Sequence, residues 1–141
     1  NTGAEFGFGG VIAALPGFAI MRDGISATFT NPLVNGAVTT NILAGITGSA
    51  SGGMGIVLSA MGDKFIAAAN QFDIPLEVMH RIVSMASGGM DTLPHNGAII
   101  TILTVTGLTH KQSYKDIFAI TVLKTLAVFL VIAFYTSTGI Y

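Results

Sequence analysis

The chain has 141 residues, of which 51% are hydrophobic and 9% are charged, against about 25% charged residues in an average soluble domain. So few charged side chains do not cover the surface of a water-soluble fold of this length, and the composition therefore favours a membrane protein. The net charge of -1 without a basic cluster argues against nucleic acid as a partner, and the absence of cysteine leaves neither disulfides nor thiolate metal ligands.

The first predicted element is a bent membrane helix over residues 6–21. This run is apolar around two glycines and Pro16, and it stops at the charged residues Arg22 and Asp23. The chain lacks an initiating methionine, and its first residues lack the basic start and cleavage site of a signal peptide. We therefore expect the chain to begin in the middle of a longer protein.

The second predicted element is a re-entrant hairpin over residues 31–61. Its two apolar runs, 31–46 and 53–61, are each shorter than the roughly 20 residues that cross a bilayer as a helix. Between them lies a tip of small and hydroxyl-bearing residues at 47–53. Irregular backbone at membrane depth must line a cavity or be buried in protein, so this tip is a candidate site.

The rest of the chain predicts a loop, an interrupted helix and a final span. Residues 62–77 are the most polar stretch and predict an aqueous loop, with an interfacial helix as an option. Residues 78–108 predict a membrane helix that is interrupted at 87–97. Residues 117–135 form a nineteen-residue apolar run with Lys124 as its only charge, which predicts the last transmembrane helix.

A five-residue repeat marks both interruptions. Residues 50–54, Ala-Ser-Gly-Gly-Met, recur unchanged as residues 86–90. Paired interruptions of this kind are typical of the binding sites of transporters with internal repeats. The alternative is that the small residues only allow two helices to pack closely.

The two interruptions predict an anion-binding site. A half-helix that begins inside the membrane presents unpaired N–H groups and the positive end of its dipole, which attract a carboxylate. The predicted substrate-binding residues are Ser49, Ser51, Gly52, Gly53, Ser87, Gly88, Thr92 and Asn96. For the serines, the alternative is that they cap their own helix, and both roles can hold at once.

Asp91 and His95 are the predicted proton-coupling residues. An unpaired carboxylate deep in a membrane span is costly and is usually functional, and histidine titrates near neutral pH. His95 would either pair with Asp91 or hydrogen-bond the substrate. The alternatives are a helix cap for Asp91 and a structural interior role for His95. Two cations stay open in the same way: Arg81 either reaches the headgroups or contacts substrate, and Lys124 either reaches the interface or pairs within the bundle.

An intramembrane enzyme is the less favoured function. The sequence has no nucleophile elbow, no phosphate-binding loop and no metal-ligand spacing, so neither a catalytic residue nor a metal site is predicted. A membrane scaffold that does not transport, or a degenerate fragment, is the second alternative.

Four stretches carry a resemblance to the gluconate permease family, at residues 45–54, 80–81, 86–97 and 107–116. The resemblance covers nearly the whole chain and corresponds to the C-terminal part of these longer proteins. It implies proton-coupled symport of gluconate or a similar small hydroxy-acid anion across the bacterial inner membrane. It also implies an all-α, polytopic, multi-pass helical bundle with a re-entrant hairpin and a broken transmembrane helix, half of an inverted-repeat transporter.

The partners follow from the resemblance and the composition together. They are the organic anion, membrane lipid and the N-terminal repeat of the same protein, with a proton as the coupled ion and no other cofactor. Sodium coupling and a homo-oligomer stay open.

Overall fold

The computed structural model describes residues 7, 11–12 and 14–140, and in this part of the chain the fold is all-α, without a strand. The all-helical fold class is confirmed for these residues. From residue 16 onward the helices are α1 (Pro16–Thr28), α2 (Pro32–Thr47), α3 (Ala50–Gln71), α4 (Leu76–Ser87), α5 (Gly97–Thr106) and α6 (His110–Thr138), with a 3-10 turn at Met90–Thr92 between α4 and α5.

The first helix differs from the one that the sequence predicts. Part of the range 6–21, namely residues 6, 8–10 and 13, lies outside the described residues. α1 does not stop at the charged pair but continues to Thr28. The Arg22 Nη2 and the Asp23 Oδ1 lie 2.8 Å apart and form an ion pair on the helix. The two charged residues are therefore accommodated within α1 and do not end it. The hydrogen bond from Arg22 lowers the pKa of Asp23, and the same bond raises the pKa of Arg22.

α2 is the central helix of the fold. Its start is fixed by Asn31, whose side-chain oxygen accepts hydrogen bonds from the backbone N–H groups of Leu33 and Val34. Its end is fixed by Gly48, which adopts a left-handed φ of 62°. The helix packs against α1, α3, α4, α6 and the 3-10 turn. A helix that is apolar on all sides is stable only when it is surrounded in this way.

α2 and α3 form a tight helical hairpin with Gly48 and Ser49 at its tip. The two helices approach most closely where Gly53 faces Ala44. A Cβ atom on Gly53 would lie 2.5 Å from the Cα and N atoms of Ala44, a distance that real side chains do not tolerate. The missing side chain of Gly53 therefore sets the separation of the two helices.

α3 is longer than the sequence predicts. The polar stretch 62–77 was expected to be a loop, but α3 runs through it to Gln71 and only residues 72–75 connect it to α4. Met61, Phe65 and Ala69 recur every four residues and are buried against the core. This periodicity outweighs the polar residues between them, which lie on the exposed side of the same helix.

The segment predicted as an interrupted helix over 78–108 consists of α4, an irregular stretch at 88–96 and α5. α4 packs into the core, whereas α5 buries only Ile99 and Leu103. Its remaining large side chains are exposed, including Val105 at 81%. α5 therefore lies at the edge of the described fold.

α6 is the one described helix that is long and apolar enough to cross a membrane, judged by length and composition. It begins at His110, earlier than the predicted start at 117, because the Gln112 side chain accepts a hydrogen bond from the Thr109 N–H at 2.9 Å and caps the first turn. One side of α6, with Thr121, Val128 and Ile132, is buried, and most of its other apolar side chains are exposed.

The closest contact of the hairpin yields a matched pair of glycine variants. Gly53→Ala should lower the free energy of unfolding by about 1–3 kcal/mol, because the new methyl group overlaps the α2 backbone. Gly62→Ala, in the same helix with nothing within 4 Å of the added Cβ, should be neutral or stabilise by up to about 1 kcal/mol. Thermal loss of helical circular dichroism in detergent measures both. Equal melting temperatures for the two variants would contradict the close approach.

Candidate functional site

The hairpin tip places the first set of predicted residues. The Ser49 hydroxyl is buried and accepts a hydrogen bond from the Gly52 N–H at 3.1 Å, so Ser49 is the N-cap of α3. The Ser51 hydroxyl lies 3.4 Å from that of Ser49, and Ser51 is exposed on the first turn. Gly52 and Gly53 are buried in the hairpin, where Gly53 contacts α2. Gly53 therefore serves helix packing, whereas Gly52 gives room to the Ser49 side chain, whose Cβ would lie 3.2 Å from an added Cβ.

The second copy of the repeat has the opposite structural context. Residues 50–54 begin α3, whereas residues 86–90 end α4 and enter the 3-10 turn. The Ser87 hydroxyl is turned back to the Ser84 carbonyl at 2.8 Å, and Gly88 is the half-buried C-cap of α4. The same five residues therefore present N–H groups at one interruption and carbonyl groups at the other.

Asn41 holds the irregular stretch in place. Its side-chain oxygen accepts a hydrogen bond from the Met90 N–H at 2.9 Å, and its amide nitrogen donates to the Thr125 hydroxyl at 3.5 Å. Gly89 gives it room, since a Cβ there would lie 2.8 Å from the Asn41 Cγ. Asn41 was not predicted as a site residue, although an amide side chain in the middle of the apolar run 31–46 was the available signal.

Asp91 forms an ion pair with Lys124. The Lys124 Nζ donates to the Asp91 Oδ1 at 2.8 Å, and the two side chains are 36% and 23% exposed, respectively. This pair joins the 3-10 turn to the middle of α6. The open question about Lys124 is thereby resolved, since it pairs within the fold and does not extend alone to an interface.

Hydroxyl groups also join the 3-10 turn to α6. The hydroxyls of Thr92 and Thr121 are hydrogen-bonded to each other, and the Tyr114 hydroxyl donates to the Thr92 carbonyl at 3.4 Å. Thr92 therefore fastens the turn to α6 beside Asp91. This leaves the carboxylate of Asp91 opposite Lys124.

His95 does not pair with Asp91, contrary to one of the two sequence-based options. Its Nε2 lies 2.9 Å from the Gly45 carbonyl oxygen, near the end of α2, and donates to it in the tautomer protonated at that nitrogen. Gly48 makes this approach feasible, because a Cβ there would lie 2.8 Å from the His95 ring. The imidazole thus links the irregular stretch at 88–96, called the break below, to the end of the hairpin.

Asn96 joins the starts of two half-helices. Its side-chain oxygen caps α5 by accepting from the N–H groups of Ala98 and Ile99, at 2.7 and 3.1 Å. Its amide nitrogen donates to the Gly48 carbonyl at 2.5 Å, directly before the N-cap of α3. Gly48 is also the C-cap of α2, so the N-terminal ends of α3 and α5 and the C-terminal end of α2 meet at one buried side chain.

An open groove of about 510 Å³ lies beside this junction. It is lined by Pro94, His95, His110, Lys111 and Tyr114. The His110 Nε2 lies 3.0 Å from the Pro94 carbonyl oxygen, which ties the start of α6 to the break. Two imidazoles and an ammonium group along one groove favour negatively charged ligands.

Two further predictions concern residues away from this junction. Arg81 is exposed in the middle of α4, where its side chain lies 4.0 Å from the Glu77 carboxylate, whereas the irregular stretch follows the C-terminal end of that helix. Among the described residues, no group of three or more histidines and carboxylates is arranged to hold a metal ion.

The site is therefore a junction of two interrupted helical segments with basic groups and an internal ion pair. Its sequence has a counterpart in a named protein. The chain is similar to a bacterial transporter. It is 72% identical over 140 residues to the protein named uncharacterized transporter YxjC of Bacillus subtilis (strain 168). That alignment covers 99% of the chain and 30% of the relative, so the chain spans less than a third of the relative's length. No protein-family model and no solved structure matches the chain.

The bond between the break and the tip is testable with a conservative change. Asn96→Asp keeps the oxygen that caps α5 but removes the N–H that binds the Gly48 carbonyl. We expect the amides of Gly52 and Gly53 to exchange hydrogen about tenfold faster, since a hydrogen bond contributes about 1–1.5 kcal/mol. Hydrogen exchange followed by mass spectrometry measures this.

Asn31→Asp is the matched control for that experiment. It makes the same chemical change at an N-cap, but at the start of α2. Exchange at the tip should stay at the wild-type rate in this variant. If both variants accelerate exchange at the tip equally, Asn96 is only a cap and does not join the two interruptions.

Proposed function

We propose that this chain is the C-terminal part of a secondary active transporter in the bacterial inner membrane. It would carry gluconate or a similar small hydroxy-acid anion together with protons. The observation that carries the proposal is the junction at Asn96, where the starts of α3 and α5 meet five residues after the ion-paired Asp91. The similarity to a protein named as a transporter supports the same class of function.

The chemistry of the junction suits a carboxylate. Two helix N-termini supply partial positive charge and N–H groups, and the groove with His95, His110 and Lys111 supplies further cationic or donor groups on the approach. The exposed hydroxyl of Ser51, on the first turn of α3, matches the hydroxyls of a sugar acid. Among the other predicted substrate-binding residues, Gly53 packs against α2, and the hydroxyls of Ser87 and Thr92 are bonded to the Ser84 carbonyl and the Thr121 hydroxyl, respectively.

The distribution of apolar surface supports a membrane setting. α6 exposes a broad apolar side, with Leu123 at 65% and Leu130 at 70%, and α5 exposes Val105. Lipid and the remainder of a longer transporter would cover these surfaces. In this proposal α2 and α3 form a re-entrant hairpin, α4 and α5 are the halves of a broken transmembrane helix, and an N-terminal repeat supplies the other half of the site.

Alternating access would then act on the junction as a unit. Substrate and proton bind while the junction is open to one face, and the loaded bundle reopens to the other. Asp91 is the proton carrier in this scheme, because it is the carboxylate inside the interrupted segment and it lies 2.8 Å from a cation that its protonation would release. His95 is placed to hold the tip and break together.

Uptake into proteoliposomes tests the proposed function. The full-length product of the gene that encodes this chain is reconstituted and radiolabelled gluconate is offered with an inward proton gradient. We expect accumulation that a protonophore abolishes and that sodium does not replace. Asp91→Asn should abolish gradient-driven accumulation while exchange of preloaded substrate persists, because the variant retains the site but does not release a proton.

Asp63→Asn is the control variant. Asp63 is an exposed carboxylate on α3, so its neutralisation should leave uptake unchanged. Wild-type uptake of neither gluconate nor other hydroxy acids would reject the transporter and favour a scaffold. Accumulation that survives Asp91→Asn would move proton coupling away from this residue and toward His95.

A further inference from the structure

The ion pair between Asp91 and Lys124 leaves hydrogen-bond donors of the lysine unused. Among the described residues, each of the two side chains has only the other as its hydrogen-bond or charge partner. Both keep part of their surface open, at 23% and 36%. An ammonium group has three donors, and Asp91 engages Lys124 at a single oxygen. The lysine therefore has unused donors on an accessible side.

Few other ionisable side chains lie on the elements that pack around the Asp91–Lys124 ion pair. Lys124 is the only charged residue in the apolar run 117–135, and α2, which packs against both partners' elements, carries no ionisable residue. The ionisable side chains of α4, which also packs there, lie in its first half, away from the break. The remaining titratable neighbours, His95, His110 and Tyr114, bond to backbone carbonyls of the break or the tip.

We infer that the Asp91 carboxylate and the carboxylate of the substrate compete for Lys124. In the empty site Asp91 is the partner of Lys124, and in the loaded site the substrate takes its place. This inference rests on the proposed transport of a carboxylate anion and names the cation that binds it. When Asp91 accepts a proton it no longer holds Lys124, and the ammonium group is then free to bind the carboxylate of the substrate.

The net charge of the site explains why proton and anion would travel together. The empty site contains an ammonium and a carboxylate and is neutral. The loaded site contains the ammonium, the substrate carboxylate and a protonated Asp91, and it is neutral as well. A site with the anion alone carries -1, and a site with the proton alone carries +1, and a net charge in an apolar bundle is costly. One proton therefore accompanies each carboxylate.

The direction of the pH dependence follows from this competition. A hydroxy acid stays ionised well above pH 4, as carboxyl groups do. Because one proton accompanies each bound anion, a higher proton concentration favours the loaded site, so anion affinity should increase toward acidic pH. At higher pH fewer protons are available for loading, so affinity should fall by up to tenfold per pH unit as long as one proton is taken up per anion bound.

The experiment measures binding of radiolabelled gluconate to the purified full-length gene product in detergent, from pH 5 to 8. In the wild type the dissociation constant should rise with pH. In Asp91→Asn it should be low and independent of pH, because no carboxylate competes for Lys124. In the double variant Asp91→Asn, Lys124→Gln it should be at least tenfold weaker than in Asp91→Asn alone.

The double variant avoids a folding artefact, since it removes both charges and leaves no unpaired ion in the apolar bundle. Lys115→Gln is the matched control, because it removes an exposed positive charge from the same helix, and it should bind as the wild type does. A pH indicator in weakly buffered solution reports proton uptake on binding, which should be one per gluconate in the wild type and absent in Asp91→Asn.

The outcomes separate the two proposals. If the wild type takes up gluconate with a proton gradient but the double variant binds as tightly as Asp91→Asn, Lys124 does not hold the substrate and the inference is rejected while transport stands. A pH dependence that persists in Asp91→Asn rejects it as well and assigns the proton to another group. If the wild type neither binds nor takes up the anion, the proposed function fails, and the inference fails with it.

Discussion

Unpaired backbone groups at the helix interruptions are the constraint on which the described fold depends. Two helices end and two start close to an apolar interior, where an unsatisfied N–H or carbonyl costs several kcal/mol, of order 2–7. Asparagine side chains meet most of this demand. Asn41 accepts from the N–H at the 3-10 turn, and Asn96 caps α5 while donating to the carbonyl before α3. Each amide therefore satisfies backbone on one segment and fixes its position against another.

The positions of the charged groups depend on the same side-chain hydrogen bonds to the backbone. Asn41 and Thr92 hold the irregular stretch so that Asp91 faces Lys124. Asn96 and His95 hold the tip, where two helix N-termini meet. The ion pair and the anion-attracting helix ends are consequences of how the backbone is satisfied. A function that requires both a proton and an anion therefore uses positions that the fold already requires.

The sequence predicted the interruptions better than the helix ends. Gly, Ser and Pro at 47–53 and 87–97 break the apolar runs, and the structure has its tip and its irregular stretch within those ranges. The length of α3 was underestimated because polarity was read as a loop, although the four-residue spacing of Met61 and Phe65 predicts a helix with one wet side.

The partners within the site were not predictable from spacing along the chain. Asp91 and His95 are four residues apart, which suggested a pair, but irregular backbone between them sends each to a different element. Lys124 lies 33 residues further on, and Asn41 lies 49 residues before the N–H that it binds. Such contacts depend on tertiary packing, and the single sequence gives only the residue types that need a partner.

The two identical five-residue segments have different structural contexts and should not be aligned with each other. Because residues 50–54 open a helix and residues 86–90 close one, superposing them would place the start of one segment on the end of another. An internal symmetry inferred from that match would be out of register by a whole helix. The positions that share a role at the two interruptions are instead the N-caps Ser49 and Asn96, whose side chains both accept from backbone N–H groups and whose surrounding residues have little in common. Searches for a related half in a longer chain should therefore be anchored on these capping positions.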